Sequence, residues 1–256
     1  MTKTTAPSDN YPMHNVAAVI LAAGQGKRMK SDLPKVLHLL HDKPLLLYVL
    51  ASCREAGLGR LITVVGFQGE RVIEAAQQYP VEIVWQKEQL GTGHAVLQAE
   101  LLFAERPTEI VVMNGDVPLI SSTTIRSLVE EHRRRKAAAT VLTAEVENPT
   151  GYGRIVRNAD GLVDRIVEEA DADEQTRQVR EINSGMFCFA PGYLFQALHM
   201  VGKQNRQGEY YLTDVLTILR HDGYVVAAHK VKNAHEVLGV NSLEQLKQIA
   251  QLTVKH

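Results

Sequence analysis

The feature that most constrains the fold is a repeated alternation of short apolar runs with helical patterns in the first half of the chain. The runs with the length and β-branched content of buried strands are residues 16–21, 61–66, 82–85 and 109–113. The helical patterns between them are residues 43–56, ended by Gly57, residues 70–78 and a segment from Thr92. This alternation predicts an α/β fold with a Rossmann-like, mostly parallel sheet flanked by helices. Ligands of such sheets bind beyond the carboxyl ends of the strands.

The second half of the chain has a different pattern. Residues 154–156 and 162–167 flank Asp160-Gly161, which predicts a two-residue hairpin turn, and residues 181–189 form another strand-like run. We expect these strands to form an antiparallel addition that covers a substrate. The remaining predicted elements are helices at 193–200 and 210–221, a strand at 224–229 and a last helix from Ser242.

Composition excludes several classes of partner. The chain has 256 residues and a formal net charge of −1, so no overall charge attracts nucleic acid or an anionic membrane. No apolar run approaches the ~20 residues of a membrane span. The two cysteines, Cys53 and Cys188, lie in apolar patterns and are expected to be buried free thiols. A cytoplasmic location is the expectation, and residues 1–15 are expected to be a flexible tail.

A glycine-rich turn follows the first apolar run. Gly24 and Gly26 allow positive φ or close backbone approach, and the N–H groups of such a turn can hold an anion, assisted by a helix N-terminus just beyond. The dinucleotide fingerprint is excluded because Met29 stands where its third glycine would be, and the P-loop pattern is absent.

Cations follow this turn. Lys27, Arg28 and Lys35, the last fixed after Pro34, can offset the charges of a triphosphate, and the Arg28 guanidinium can hold phosphate oxygens in a bidentate fork. The alternative is an ordinary strand-to-helix turn with surface cations. The glycine pair alone does not decide between the two.

Further motifs give the chain a recognisable resemblance. They are Leu21-Ala-Ala-Gly-Gln-Gly-Lys-Arg-Met29, Leu33-Pro-Lys-Val-Leu37, Gln89-Leu-Gly-Thr-Gly-His-Ala95, Gly115-Asp-Val-Pro-Leu119, Pro149-Thr-Gly-Tyr-Gly-Arg-Ile155, Glu181-Ile-Asn-Ser-Gly185, Gly208-Glu-Tyr-Tyr-Leu-Thr-Asp214 and Gly239-Val-Asn241. Together, from about Val16 to Asn241, they resemble the uridyltransferase half of the bacterial bifunctional N-acetylglucosamine-1-phosphate uridyltransferase/glucosamine-1-phosphate acetyltransferases, which are sugar nucleotidyltransferases. The resemblance implies the nucleotide-diphospho-sugar transferase fold.

The chain departs from that family in two respects. The hexapeptide repeats of the family's acetyltransferase domain are absent, so acetyl transfer is not expected, and the chain is either free-standing or an excised domain. Asn114 stands where the family usually has tyrosine, which affects one wall of the substrate site. The expected organisation is a nucleotidyltransferase domain at 16–241, with a nucleotide-binding half at 16–146, a sugar-binding half at 147–241, and a C-terminal helix at 242–256.

The resemblance implies a role for each matching residue. Asp116 and Asn241 would be the protein ligands of Mg²⁺, which prefers oxygen donors. Arg28 and Lys35 would be catalytic. The residues implied to bind the nucleotide are Leu21, Ala22, Ala23, Gly24, Gly26, Lys35, Gln86, Gly91, Thr92 and Gly115. Those implied to bind the sugar phosphate are Asn114, Asp116, Gly153, Glu168, Asn183 and Asn241.

Simpler readings exist for several of these residues. Asp116 could be a turn residue before Pro118, and Asn241 could be a helix cap. Without the resemblance Gln86 would be a surface strand end. The spacing favours Glu168 over its neighbour Glu169 as the sugar ligand. His94 is expected to be a first-turn helix residue, not a catalyst. Tyr210, Tyr211 and Thr213 either form the pocket wall or serve packing and capping.

The implied reaction joins the uridylyl group of UTP to N-acetylglucosamine 1-phosphate and releases pyrophosphate. Two alternatives stay open from the sequence: a nucleotidyltransferase for another base or sugar 1-phosphate, and a non-catalytic nucleotide-sugar binding module. A monomer or weak dimer is expected because the family's trimer is built by the domain absent here.

Overall fold

The computed structural model describes residues 12–104 and 108–253. Its strands are β1 (Val16–Ala22), β2 (Leu39–Leu40), β3 (Lys43–Pro44), β4 (Arg60–Val65), β5 (Val81–Trp85), β6 (Glu109–Asn114), β7 (Ala139–Glu145), β8 (Arg154–Arg157), β9 (Val163–Val167), β10 (Glu181–Phe189) and β11 (Val226–Lys230). Its α-helices are α1 (Leu45–Glu55), α2 (Gly69–Ala76), α3 (Thr92–Leu97), α4 (Ser122–Arg135), α5 (Glu174–Arg177), α6 (Tyr193–Leu198), α7 (Asp214–His221) and α8 (Leu243–Thr253). The predicted α/β class is confirmed.

One mixed sheet organises the molecule, in the order β11-β7-β10-β6-β1-β4-β5. Strands β4, β5 and β6 join β1 in a parallel block, and β11 pairs parallel with β7. Strand β10 is antiparallel to both β6 and β7. The antiparallel part is therefore not only an addition to the sheet, because β10, which comes from the second half of the chain, lies between β6 and β7 of the first half.

Strand β7 was not predicted from the sequence. It follows α4 directly, and the chain leaves that helix through Lys136 in the left-handed conformation, φ 49°, where a glycine is the usual signal. The basic residues 133–136 form the end of this helix.

The hairpin β8–β9 has a longer turn than the sequence predicted. The N–H of Asn158 donates to the carbonyl of Leu162 at 2.9 Å, so residues 159–161 form a three-residue loop. Asn158 Oδ1 accepts from the N–H groups of Asp160 and Leu162, and Gly161 has φ 76°. The side chain of Asn158 thus supplies the turn contacts that a two-residue Asp-Gly turn would not need.

Apolar side chains cover both faces of the sheet. In β1 the alternating set of Val16, Ala18 and Ile20 packs on one face, and Ala17 and Val19 pack on the other. A strand buried on both faces lies at the centre of an α/β sheet, which explains the unbroken apolar run that begins the described fold. A smaller third cluster packs α8 against the β2–β3 pair.

The predicted end segments are partly described. Residues 1–11 and 254–256 lie outside the described residues, so most of the expected flexible tail does too. Met13–Asn15 form a 3₁₀ turn, and Met13 packs on the core, so ordered chain begins before the predicted boundary at residue 16. The division at 146/147 stays a prediction. None of the described helices combines the length and the apolar character that crossing a bilayer requires.

Candidate functional site

Two adjoining cavities lie beyond the carboxyl end of β1 and β6. The hairpin-side cavity, of about 310 Å³, reaches the β8–β9 hairpin and β10, and its walls include Gly153, Glu168 and Asn183. The turn-side cavity, of about 240 Å³, extends along the glycine turn, and its walls include Gly24 and Gln86. The residues that line both cavities are Leu21, Lys35, Thr92, Asn114 and Asp116.

A cluster of opposite charges marks the junction. Lys35 forms an ion pair with Asp116, which is only 3% exposed. Asn241 Oδ1 accepts hydrogen bonds from Lys35 Nζ at 3.2 Å and from Arg28 Nη2 at 3.0 Å. The structure therefore brings together the four residues implied to be catalytic or metal-binding. A main-chain bond from Val240 N to the carbonyl of Asp116, at 3.0 Å, holds the two segments side by side.

The glycine turn places Lys35. Gly26 has φ 69°, and a Cβ added there would lie 2.7 Å from Lys35 Cβ. Only glycine allows this conformation together with this close approach. Lys35 itself begins a 3₁₀ turn, Lys35–Leu37, directly after Pro34, so its backbone is fixed from both sides.

The helix expected after the glycine turn is not present. Lys27–Met29 form a 3₁₀ turn of three residues, which is too short for a helix dipole to supply positive potential. The positive charge at this site comes from Arg28 and Lys35. Ala22, at the end of β1, and Ala23 and Gly24 of the turn line the turn-side cavity, whereas Arg28 lines the hairpin-side cavity.

Two predicted nucleotide ligands stand behind the walls of these cavities. Gly26 and Gly115 are in neither lining. Gly115 donates its N–H to the carbonyl of Leu21 at 2.9 Å, which extends the β1–β6 pairing by one residue. Both glycines act on the site through the neighbours they allow to approach.

Gln86 is a buried residue of the turn-side cavity, not a surface strand end. It is 3% exposed, and its Nε2 lies 3.1 Å from the carbonyl of Gly91 and 3.0 Å from His94 Nδ1. Thr92 Oγ1 accepts the N–H of Leu212 at 3.1 Å. His94 lies in the first turn of α3, as predicted, but sequence reasoning did not identify its contact with Gln86.

Residues 210–213 pack against the start of α3 and do not form the first turn of the helix predicted at 210–221. Tyr210 donates its N–H to Leu90 and accepts from Gly93 N, each at 2.8 Å. The helix α7 therefore begins at Asp214. Thr213 lines the hairpin-side cavity, whereas Tyr210 and Tyr211 line neither cavity, and the Tyr211 hydroxyl donates to Gln207.

Glu168, and not Glu169, faces the hairpin-side cavity, in agreement with the predicted spacing. Its Oε1 accepts from the Thr213 hydroxyl at 3.2 Å. Burial raises the pKa of Glu168, and the nearby Asp214, Asp171 and Glu209 raise it further, whereas the Thr213 hydrogen bond opposes these effects. A raised pKa favours the neutral acid, which can donate a hydrogen bond as well as accept one.

Glu169 has a structural contact instead. Its Oε2 pairs with Arg154 Nη2 at 2.8 Å and accepts the N–H of Gly151 at 3.2 Å. Arg154 is 1% exposed, and its Nη1 donates to the carbonyl of Tyr152. The buried guanidinium thus fixes the Gly151–Gly153 turn against the end of β9, beside Glu168. Sequence reasoning missed Arg154, because its motif alone gives no sign that its charge is buried.

Tyr152 is a second residue that sequence reasoning missed. It lines the hairpin-side cavity, and burial raises its pKa, an effect that a hydrogen bond with the Gly239 backbone partly offsets. Its position between the two glycines of the Gly-Tyr-Gly motif is the sequence signal that could have identified it.

Asn114 ends β6 between the two cavities. Its Nδ2 lies against Gly185, where an added Cβ would be 2.3 Å from it, and Gly185 has φ 76°. The Gly185 N–H donates to Asn183 Oδ1 at 2.9 Å, so the predicted sugar ligand Asn183 also shapes this wall.

A family model described as "Nucleotidyl transferase" matches residues 17–239. Among curated proteins, the chain is 44% identical over 233 residues to the bifunctional protein GlmU of Syntrophomonas wolfei, covering 91% of this chain and 52% of that protein. It is 48% identical over 240 residues to bifunctional protein GlmU of Halalkalibacterium halodurans, covering 94% and 52%. The chain spans about half the length of these relatives.

A solved structure has the same fold. It is a UDP-glucose pyrophosphorylase complexed with UDP-glucose, with a TM-score of 0.75 and 20% identity, covering 93% of this chain and 98% of that one. At 20% identity this likeness supports the fold class and not a particular activity.

Proposed function

The chain belongs to the nucleotidyl transferase family, and on that premise we propose that it transfers the uridylyl group of UTP to N-acetylglucosamine 1-phosphate. The products would be UDP-N-acetylglucosamine and pyrophosphate. The half of the GlmU relatives that this chain matches, at 44% and 48% identity, supports this choice.

The observation that carries the proposal is the meeting of two cavities at one cationic junction. A transfer between two phosphorylated substrates needs two binding spaces and positive charge where their phosphates meet. Lys35 and Asp116 line both spaces, and Arg28 lies beside them on Asn241. The turn-side cavity would take the nucleotide and the hairpin-side cavity the sugar phosphate.

The donor set fits a divalent ion. Enzymes of this family generally use one. The Asp116 carboxylate and Asn241 Oδ1 converge on a single positive charge, the Lys35 ammonium, so the same point favours a metal cation. Within residues 12–104 and 108–253, no three acidic, histidine or cysteine side chains are grouped to hold a metal. Two oxygen ligands suit Mg²⁺, which commonly keeps waters and takes substrate phosphates as its other ligands. A bound Mg²⁺ would supply positive charge to the phosphate oxygens.

The residues of this chain would act by positioning and by charge. A phosphate oxygen of the sugar substrate bonds to the α-phosphorus, and the bond from that phosphorus to the bridging oxygen breaks, so pyrophosphate leaves with the electron pair. A phosphate dianion is already nucleophilic, so no general base is needed. Arg28 and Lys35 would hold the charged oxygens, and Lys35 would move from Asp116 towards them.

Residues in the walls of the two cavities would bind the base of the nucleotide and the sugar ring. Gln86, Gly91 and Thr92 would contact the base. Glu168 and Asn183 would contact the sugar hydroxyls or the acetamido group, with Gly153 offering its main chain.

A substrate panel tests the proposal. Pyrophosphate release is measured with UTP, CTP, dTTP, ATP and GTP, each against N-acetylglucosamine 1-phosphate, glucosamine 1-phosphate and glucose 1-phosphate in Mg²⁺ buffer. We expect the highest kcat/KM for UTP with N-acetylglucosamine 1-phosphate. A higher value for another pair would reassign the substrate, and tight nucleotide-sugar binding with no turnover for any pair would favour a binding module.

A further inference from the structure

We propose that Glu236 is a positioning residue, whose carboxylate holds Asn241 beside Asp116 by linking the segment before Asn241 to the start of α4. This inference rests on the proposed function, because it concerns how the same site aligns its two oxygen ligands for a divalent ion. Glu236 lines neither cavity, so its effect on the reaction has to pass through Asn241.

Two segments that run in opposite directions meet at the site. One leads from Asp116, just after β6, to Ser121, the N-cap of α4. The other leads from Glu236, in the 3₁₀ turn Ala234–Val237, to Asn241. The main-chain bond from Val240 to Asp116 joins them at one end, and Glu236 contacts Ser121 at the other. The two segments are therefore linked at both ends.

One carboxylate oxygen forms the link at the α4 end. Glu236 Oε2 accepts from the hydroxyls of Ser121 and Thr124, each at 2.6 Å, and from the Ser121 N–H at 3.2 Å. Hydrogen bonds to a charged acceptor are shorter and about twice as strong as neutral ones. The N-terminus of a 14-residue helix also favours a negative charge. Glu236 is thus attached to the start of a long helix.

The link has a consequence for the direction of the segment. A single hydrogen bond, from Val240 to Asp116, would let the segment pivot about that point. A second attachment at Glu236 fixes its direction and therefore the place of Asn241 Oδ1, which lies 3.2 Å from Lys35 Nζ. Mg²⁺ requires near-ideal ligand geometry. Losing a group that orients a metal ligand typically costs about 10–100-fold in metal affinity or activity.

The helix α8 holds Asn241 from its other side. The Asn241 N–H donates to Gln245 Oε1 at 2.7 Å, and the Ser242 hydroxyl accepts from Gln245 N at 3.2 Å. These contacts fix the chain after Asn241, whereas Glu236 fixes the chain before it. The test of the proposal is therefore whether α8 is sufficient without Glu236.

Three substitutions separate the link from a general loss of stability. Glu236→Ala removes the carboxylate, and Glu236→Gln keeps an oxygen that can accept from the two hydroxyls. The control is Glu82→Ala, which removes a carboxylate that accepts from Arg60 at 2.8 and 2.9 Å. Glu82 pairs with Ile62 near the amino ends of β4 and β5, at the opposite end of the sheet from the site.

The first measurement is amide hydrogen exchange by NMR, without substrate or metal. In Glu236→Ala we expect the Val240 N–H to exchange at least about tenfold faster, equivalent to about 1.4 kcal/mol. The Gly115 N–H, bonded to Leu21, should keep its rate. Glu236→Gln and Glu82→Ala should leave the Val240 rate within about threefold of the wild type. An unchanged Val240 rate in Glu236→Ala, or an equal rise at Val240 and Gly115, would overturn the proposal.

The second measurement is a double-mutant cycle in kcat/KM with UTP, N-acetylglucosamine 1-phosphate and Mg²⁺. Glu236→Ala alone should lower kcat/KM about tenfold or more. In the Asn241→Ala background the same substitution should cost less than about threefold, because residues that act through one another are not additive. A full loss in both backgrounds would show that Glu236 does not act through Asn241.

Failure to fold and failure of the proposed function give different results. If Glu236→Ala does not fold, as judged by its thermal melt, Thr124→Val replaces it in both measurements, since it removes one of the hydroxyl donors. An enzyme that turns over no nucleotide triphosphate contradicts the proposed function, whereas the exchange rate of Val240 still tests Glu236.

Discussion

The two cavities that meet at Lys35 are lined by different types of residue. Apart from the residues that both cavities share, the turn-side cavity is lined mostly by small and apolar residues and by the neutral amides of Gln86 and Gln89, with Glu209 as its one further acidic residue. The hairpin-side cavity depends on ionisable side chains, namely Glu168 at its wall and the Arg154–Glu169 ion pair behind it. A site of neutral hydrogen bonds is set by geometry, whereas a site of buried charges also depends on how each charge is compensated. Substitutions in the two cavities should therefore have different effects on activity and on stability.

The largest effect is expected at the junction that both cavities share. Lys35→Met and Asp116→Ala should each lower kcat about 10²–10³-fold, the typical cost of removing one preorganised charge from a transition state. Steady-state kinetics with both substrates varied would measure it. The control is Lys30→Met, which removes an exposed lysine from the same loop and should leave kcat unchanged. Near-normal kcat in either junction variant would remove that residue from the proposed mechanism.

The ion pair behind the hairpin-side cavity should respond unequally to its two deletions. The side chain of Arg154 is 2% exposed and that of Glu169 is 33% exposed. Glu169→Met leaves a buried guanidinium without its partner, and a loss of about 3–5 kcal/mol in the free energy of unfolding is expected. Arg154→Met leaves a carboxylate that water can reach, so its loss should be smaller. Urea unfolding of both variants checks the order, and the reverse order would show that Arg154 is compensated elsewhere.

A substitution in the glycine turn should disturb the structure only near Lys35. Gly26→Ala forces a Cβ into contact with Lys35 and requires φ 69° of a residue with a side chain. The left-handed conformation alone costs about 1–2 kcal/mol. We expect kcat to fall by roughly the corresponding 5–30-fold if the strain displaces Lys35 from its place in the mechanism. Gly223→Ala is the matched control, because Gly223 also has a positive φ, 83°, but nothing lies within 4 Å of a Cβ there and it lines neither cavity. Equal losses in the two variants would contradict this account.

The smallest expected effect is a change in stability with pH. The pKa of Glu168 is raised by burial, so the folded state keeps its proton to a higher pH than the unfolded state does. Stability is therefore lost as pH rises from the ordinary pKa of this carboxyl through its raised value. Glu168→Gln removes this loss and keeps an oxygen for the Thr213 hydroxyl.

The test of Glu168 compares thermal melts at pH 5 and pH 8. Glu168→Gln should melt higher than the wild type by a larger margin at pH 8 than at pH 5. Its KM for the sugar phosphate should rise while its KM for UTP does not. A margin independent of pH would mean that Glu168 is already ionised in the folded protein.

The sequence determined the local architecture. Strand and helix periodicity predicted the α/β class and most elements of the sheet, because alternation of apolar residues reflects which face of each element is buried. The glycines and cations after β1 also identified one side of the site, since a strand, a turn and its neighbours lie close together in the chain. Local signals failed where a side chain replaced the usual residue, as Lys136 does after α4 and Asn158 does in the hairpin.

The tertiary structure decided which distant residues share the site. Asn241 meets Asp116 only because the chain returns to β6 after forming β11, and Glu168 reaches its cavity because β10 is inserted between β6 and β7. The burial of Arg154 likewise depends on a segment further along the chain, because β8 pairs with β10 at Ile182. Periodicity describes one element at a time, whereas burial and hydrogen-bond partners are set by the elements that pack around it.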